Sequence, residues 1–484
     1  MQNTKLILLL KTFNKEELKR FGDFVQSPYF NKRETNAIFF KVLAAYYPSF
    51  EAISWEKLYK KAFPKKAYSE TYLRNILSDL CNLAEEFMMQ EHRLLVPMRN
   101  KIDLCYELSM RDLFPLAEKQ LAALDEALKQ SQTTDNYYYD WRIWYDRLAD
   151  WIHFKLAQPS LRAPILQEKA DNLFRFFWKY TFSLYGVILN VQGTYDSYTY
   201  DTSQIESILP LFEPAQHTNN PMLLCEYYTV MFMRPQANQA DFEAAYDFIQ
   251  KHKDNIDKHS LARIYTMLAN FLRKQTPPEK NNTSLLLTLH LDSIANLIAE
   301  KQPISAYAYN TITYIAYSLK GAAWVRQFIA EYSPHLPQQL REGWQTFVEA
   351  RLLLFEGKPT ETIALLNAYA DFYEQDYFYT KLVLLFAYYE TNNLNAFELL
   401  LDTTDHTLRN RKTELPDREY LQFKNTLRLL QKLHRLSLQP DPAAFKKLQQ
   451  WFEATPDFYL KSWLEGRVKP ETKQKSQVAL DYAY

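Results

Sequence analysis

The sequence predicts an all-α protein, an N-terminal helical unit followed by an antiparallel helix-pair solenoid. Three observations lead there. Only seven of the 484 residues are glycine: Gly22, Gly186, Gly193, Gly321, Gly343, Gly357 and Gly466. An average composition carries about 7%, and hairpins and phosphate-cradling loops depend on glycine, which enters positive φ without steric cost. The 22 prolines fall mainly between apolar-periodic segments, where they close one helix or open the next. The apolar residues themselves recur with a 3.6-residue period over most of the chain.

Residues 1–96 read as an N-terminal helical domain. The apolar run from Leu6 to Leu10 is too short for a signal-peptide core, and no small-residue cleavage site follows it. Asn14 and Glu17 form a capping pair, after which Leu18, Phe21 and Val25 mark one face of a first helix that Ser27-Pro28 ends. A second helix runs through Phe39, Phe40, Leu43 and Tyr47 to Pro48. Ser54 opens a short third, which closes at Phe63-Pro64. Ser69 opens a long fourth, whose apolar stripe is Leu73, Ile76, Leu77, Leu80, Ala84, Phe87 and Met88. Pro97 marks the boundary.

Residues 97–215 form an aromatic-rich helical segment. Helices are expected over 113–128, over 138–154 with Trp141, Trp144 and Trp151, and over 166–189 with Phe174, Phe177 and Trp178. The 35 Tyr, 31 Phe and 9 Trp of the chain are assigned to packing between helices, where rings bury large areas. Residues 191–200 alternate weakly around Gly193 and read as an irregular connection, with a small hairpin as the alternative.

From 216 to 468 the pattern becomes a helical-repeat solenoid. Helix pairs are expected at 222–234 with 240–252, 258–274 with 283–300, 304–319 with 322–332, 338–356 with 359–372, 375–391 with 393–402, and 416–436 with 441–453. An offset of 34 residues carries Phe355 onto Tyr389 and Leu366 onto Leu400, the length of a tetratricopeptide unit. The segment Phe355-Glu356-Gly357-Lys358-Pro359-Thr360-Glu361-Thr362-Ile363-Ala364-Leu365-Leu366 resembles the inter-helix turn and second helix of the tetratricopeptide-like helical-repeat superfamily, and the likeness extends over about 220–455. It implies stacked antiparallel helix pairs whose concave surface binds a partner. The family's Trp-Leu-Gly-Tyr first-helix consensus is absent, so no peptide-binding position maps onto this chain. Residues 469–484 form a polar tail.

Lys plus Arg equals Asp plus Glu, 57 each, so no global field draws the protein to nucleic acid or anionic lipid. Cys81, Cys105 and Cys225 are too scattered for a disulfide framework and read as buried free thiols of a reducing compartment. No apolar run reaches the length of a membrane span, and the expected address is the cytoplasm. Neither GxxxxGK[ST] nor GxGxxG occurs, and no two of the nine histidines stand four apart, so no cofactor, metal or catalytic constellation is expected. The leading expectation is a non-enzymatic scaffold for a protein or peptide partner.

One local cluster supports an alternative. Residues 1–100 carry 16 Lys and Arg against 11 Asp and Glu, a net +5. Lys57, Lys60, Lys61, Lys65 and Lys66 bracket the turn between the third and fourth expected helices, and Arg74 and Asn75 follow on the fourth. A short helix, a turn and a longer helix outline a helix-turn-helix. The stretch from Leu58-Tyr59 through Phe63-Pro64 to Tyr72-Leu73-Arg74-Asn75-Ile76-Leu77-Ser78-Asp79-Leu80 resembles the DNA-reading part of bacterial activators that join a winged helix to tetratricopeptide-like repeats. That resemblance implies a transcriptional regulator in which these seven residues contact nucleic acid and the repeats sense or dimerise.

Overall fold

A computed structural model of the protein describes residues 4–50, 53–131, 137–193, 199–274, 280–369, 377–455 and 457–469. Among these residues there are 23 α-helices and no strand. They form two compact units: residues 1–129 with 144–168, and residues 130–143 with 169–484. The first unit contains α1 (Lys5–Thr12), α2 (Lys15–Gln26), α3 (Glu34–Leu43), α4 (Trp55–Ala62), α5 (Glu70–Leu95), α6 (Pro97–Met110) and α7 (Phe114–Ser131). The last two residues of α7 fall in the second unit, and helices α8 (Tyr138–Lys155) and α9 (Pro159–Gln192) each give a longer segment to both units.

In the first unit the capping box at α2 is complete: Asn14 accepts from the Glu16 and Glu17 amides, and Glu17 accepts from the Asn14 amide at 2.7 Å. Ser69 caps α5 by accepting from the Tyr72 amide, whereas Ser54 makes no capping bond to α4. The Leu6–Leu10 run is itself a helix, α1, and buries Leu6, Ile7 and Leu10 against α5. The domain therefore opens with five helices rather than the four expected. Its core centres on Phe21, whose ring lies 4.8 Å from Phe40 and 5.4 Å from Phe87. The stripe expected on α5 is buried except for Met88, which is exposed. Pro97 is the first residue of α6, directly after α5, and both helices belong to the first unit.

The second unit continues with α10 (Ser203–Ile208), α11 (Pro221–Met233), α12 (Gln239–His252), α13 (Lys258–Lys274), α14 (Lys280–Ala299), α15 (Ala306–Lys320), α16 (Ala322–Tyr332), α17 (Gln338–Phe355), α18 (Pro359–Ala368), α19 (Tyr377–Glu390), α20 (Leu394–Asn410), α21 (Asp417–Leu438), α22 (Pro442–Ala454) and α23 (Lys461–Val468). Each of the six pairs from α11–α12 to α21–α22 packs together, and α17, α19 and α21 also pack in sequence on one another. The six expected pairs thus coincide with observed pairs. The end of the fourth pair, 370–372, the start of the fifth, 375–376, residues 194–198 of the 191–200 connection and all but the first residue of the tail lie outside the described residues.

The turns between helices explain how the chain manages with so little glycine. After α17 the Gly357 amide donates to Leu354 and the Lys358 amide to Leu353, with Gly357 at φ 76°. This is the Schellman arrangement, which satisfies two carbonyls at a helix end by placing one residue in the left-handed region. The same bonds recur at Asp112 (φ 59°), Ala157 (φ 53°), Lys301 (φ 56°) and Asn392 (φ 53°). Four of the five turns, at Asp112, Ala157, Gly357 and Asn392, are followed after one residue by the next helix. The left-handed turn is a repeated device here, and residues other than glycine occupy most of its copies.

Candidate functional site

All seven side chains of the basic cluster are exposed, and the buried face beneath them consists of Trp55, Leu58, Tyr59, Ala62 and Phe63. Lys60 donates to Glu56 and Arg74 to Glu70, each at 2.6 Å along its own helix. Lys66 leans over the rings of Phe63 and Tyr72, at 5.5 Å and 5.1 Å. Lys57, Lys61 and Lys65 have no carboxylate partner among the described residues. Asn75 lines a cleft of about 330 Å³ between α3 and α5, beside the ion pair in which Arg33 donates to Asp79 at 2.7 Å. The structure therefore keeps the cluster on one corner, but it interleaves the cations with Glu56, Glu70 and Asp79. Seven residues, 63–69, separate α4 from α5, against the three or four of a helix-turn-helix. Both helices pack on α3.

A second feature of the first unit was not visible as a motif. Between α2 and α3 lies a groove of about 730 Å³. Its apolar lining comes from Leu18, Val25, Ala37, Ile38 and Phe40, with Gly22 among them. A Cβ on Gly22 would meet only the Phe40 ring, at 3.5 Å. Lys15, Lys19, Lys32 and Lys41 also line the groove, all exposed, with Glu34 as its one carboxylate. Lys32 donates to the Pro28 carbonyl at 2.8 Å; Lys15, Lys19 and Lys41 have no carboxylate partner among the described residues. Helical geometry builds this lining: residues three or four apart share a face, and Lys15, Lys19, Gly22 and Gln26 follow that spacing along α2. The α2 side of the lining was thus present in the sequence, interrupted by Glu16 and Glu17, but its meeting with the α3 side was not.

The second unit holds its polar groups inside. Arg351 of α17 is 1% exposed and donates to Asn310 at 2.7 Å and to Thr313 at 2.8 Å on α15. Glu226 of α11, buried, accepts from Arg263 of α13. Burial pushes the Arg273 guanidinium down to about 10 and raises the Glu419 carboxyl. His290 is buried, and burial together with nearby Arg273 holds it down to about 4. No three His, Cys, Asp or Glu side chains among the described residues converge where they could hold a metal ion. Asp405 and His406 are bound within their own helix, to Arg409 and Asn410. All three cysteines are buried and free. No helix among the described residues is long and apolar enough to cross a membrane.

No protein-family model, curated protein or solved structure matches this chain.

Proposed function

We propose that this chain is a non-enzymatic helical scaffold. Residues 221–454 are stacked as a tetratricopeptide-like solenoid, and the groove between α2 and α3 receives an acidic, apolar-faced segment of a protein partner. The observation that carries this reading is the pairing of an apolar lining with lysines in one groove of about 730 Å³. An apolar lining gives affinity to an amphipathic segment, and unpartnered surrounding charges select its sign and speed its approach. The successive packing of α17, α19 and α21 supports the stacked arrangement, since each amphipathic pair buries its remaining face on the next.

The test uses fluorescein-labelled amphipathic helical peptides with the same apolar face and either Glu-rich or Lys-rich polar faces, read by polarisation on the full chain. The acidic peptide binds and weakens with salt; the basic one does not. Gly22→Leu removes an interior glycine from α2, a change worth about 1 kcal/mol in helix propensity, yet fills the groove. Lost binding in a variant that is no less stable assigns the site. Equal binding of both peptides, or no effect of Gly22→Leu, refutes it.

A second reading, a DNA-binding regulator, is favoured by Lys57, Lys61 and Lys65, exposed and without a carboxylate partner among the described residues. It requires a duplex affinity that falls steeply with salt, through counterion release. That affinity must also fall when Lys57, Lys61 and Lys65 become Glu. Duplex binding indifferent to those substitutions removes this reading.

A further inference from the structure

The segment of α9 within the second unit is apolar on two opposite faces. One face is core: Trp178, Phe182, Tyr185 and Leu189 are buried there. The other is exposed. Ala170, Leu173, Phe177, Tyr180, Leu184, Val187 and Val191 follow at spacings of 3, 4, 3, 4, 3 and 4. Of these, Leu173, Phe177, Tyr180, Leu184 and Val187 are between 39% and 57% exposed, and neighbouring Phe174 is 64% exposed. Between Leu173 and Val191 the charged residues are Arg175 and Lys179. Lys179 is buried and Arg175 is half-buried with its guanidinium bonded to Asn172, so the exposed stripe carries no charge.

We infer that this stripe is the dimerisation seam of the protein, and that its occupant is the same stripe on a second copy of the chain. Apolar residues at alternating spacings of three and four form a seam along which two helices can wind around each other. A second copy supplies an identical helix with the same period, and a two-fold axis makes the surface self-complementary. The area suffices. The stripe from Ala170 to Val191 presents roughly 500 Å² on one copy, or about 1,000 Å² across the pair, which meets the ~1,000 Å² of a specific interface. Asp140 accepts from the Tyr180 hydroxyl at 2.5 Å, so the polar end of that ring is already bound and its apolar body remains for a partner.

The experiment measures the mass of the full chain by light scattering and sedimentation from sub-micromolar to about 100 μM. A dimer is expected, with Leu184→Glu and Val187→Lys weakening it at least about 100-fold without lowering the stability of the monomer, because both side chains are exposed. Cysteine placement gives an independent readout, since the three native thiols are buried. Under mild oxidation Leu184→Cys or Tyr180→Cys cross-links to its own copy, whereas Arg175→Cys, on the other side of the helix, does not. Self-linking along the whole stripe means parallel helices, and self-linking only at its centre means antiparallel ones. A chain that stays monomeric at every concentration overturns the inference. So does a dimer indifferent to Leu184→Glu, or a Leu184→Glu variant that is itself unstable because the stripe is covered by another part of the same chain.

Discussion

Exchanging residues at the left-handed turns tests the account of how this chain turns without glycine. Gly357 sits at φ 76°, and a Cβ there meets nothing within 4 Å. Gly357→Ala therefore changes backbone conformational energy and no packing. The left-handed region costs an L-residue about 1–2 kcal/mol, and removing a glycine returns roughly 0.4–1 kcal/mol of unfolded-chain entropy. The net expectation is a loss of about 1 kcal/mol. Lys301 sits in the same turn at φ 56° with its side chain exposed, so Lys301→Gly should gain a similar amount by the same arithmetic reversed. Asn392→Gly should gain less, because asparagine tolerates this conformation better than lysine. All three sites lie in the second unit, and the readout is the urea midpoint followed by tryptophan fluorescence at constant slope. A Gly357→Ala variant as stable as the parent, or a Lys301→Gly variant less stable than it, refutes the strain argument.

Three further outcomes follow from the interior and one from an exposed helix cap. Arg351→Ala leaves Asn310 and Thr313 facing each other without their donor in a dry site, and a loss of about 3 kcal/mol is expected by chemical denaturation. His290, held down to about 4 from its ordinary 6.5, binds its proton more readily when unfolded. Its contribution is complete above pH 6.5 and is lost as pH falls to 4, which amounts to about 3 kcal/mol; His290→Leu should flatten that part of the stability–pH curve. Burial raises Cys225 and lifts Cys105 to about 11, so both should resist alkylation at neutral pH and react when the chain is unfolded. Asn14→Ala should cost the first unit about 1 kcal/mol by breaking the α2 capping box, measured by its thermal transition.

Much of the helical layout was legible because proline and apolar period act locally. The turn around Gly357 and Pro359 marked a pair boundary correctly, and the same reading placed the starts of α11, α13 and α17 to within a residue of the observed ones. The run from Leu6 to Leu10 was harder, since five consecutive apolar residues show no face. Only the burial of Leu6, Ile7 and Leu10 against α5 reveals α1 as core. The candidate site was legible in part. The Lys57 to Lys66 cluster is contiguous in sequence, but the ion pairs that temper it run along helix faces to Glu56 and Glu70. The α2–α3 groove brings together lysines 26 residues apart in sequence, Lys15 and Lys41; no local pattern encodes that meeting. The contact of Arg351 with Asn310 spans 41 residues and is equally invisible to spacing.

Helix α9 shows where periodicity loses its power. An amphipathic helix announces its buried side because its apolar residues add up in one direction. In α9 the Trp178–Phe182–Tyr185–Leu189 face and the Leu173–Phe177–Tyr180–Leu184 face oppose each other, so their contributions cancel. From sequence, Phe174 and Phe177 look like core along with Trp178. The fold separates them: Trp178 is 7% exposed and stacks on Phe182, while Phe174 and Phe177 face outward. Exposed apolar surface of this extent lies toward the upper end of what a chain that works alone presents, and patches of that size are often functional. The cancellation in the sequence and the uncovered stripe in the structure thus have one cause: α9 has two faces to bury, and the second unit, taken by itself, covers one of them.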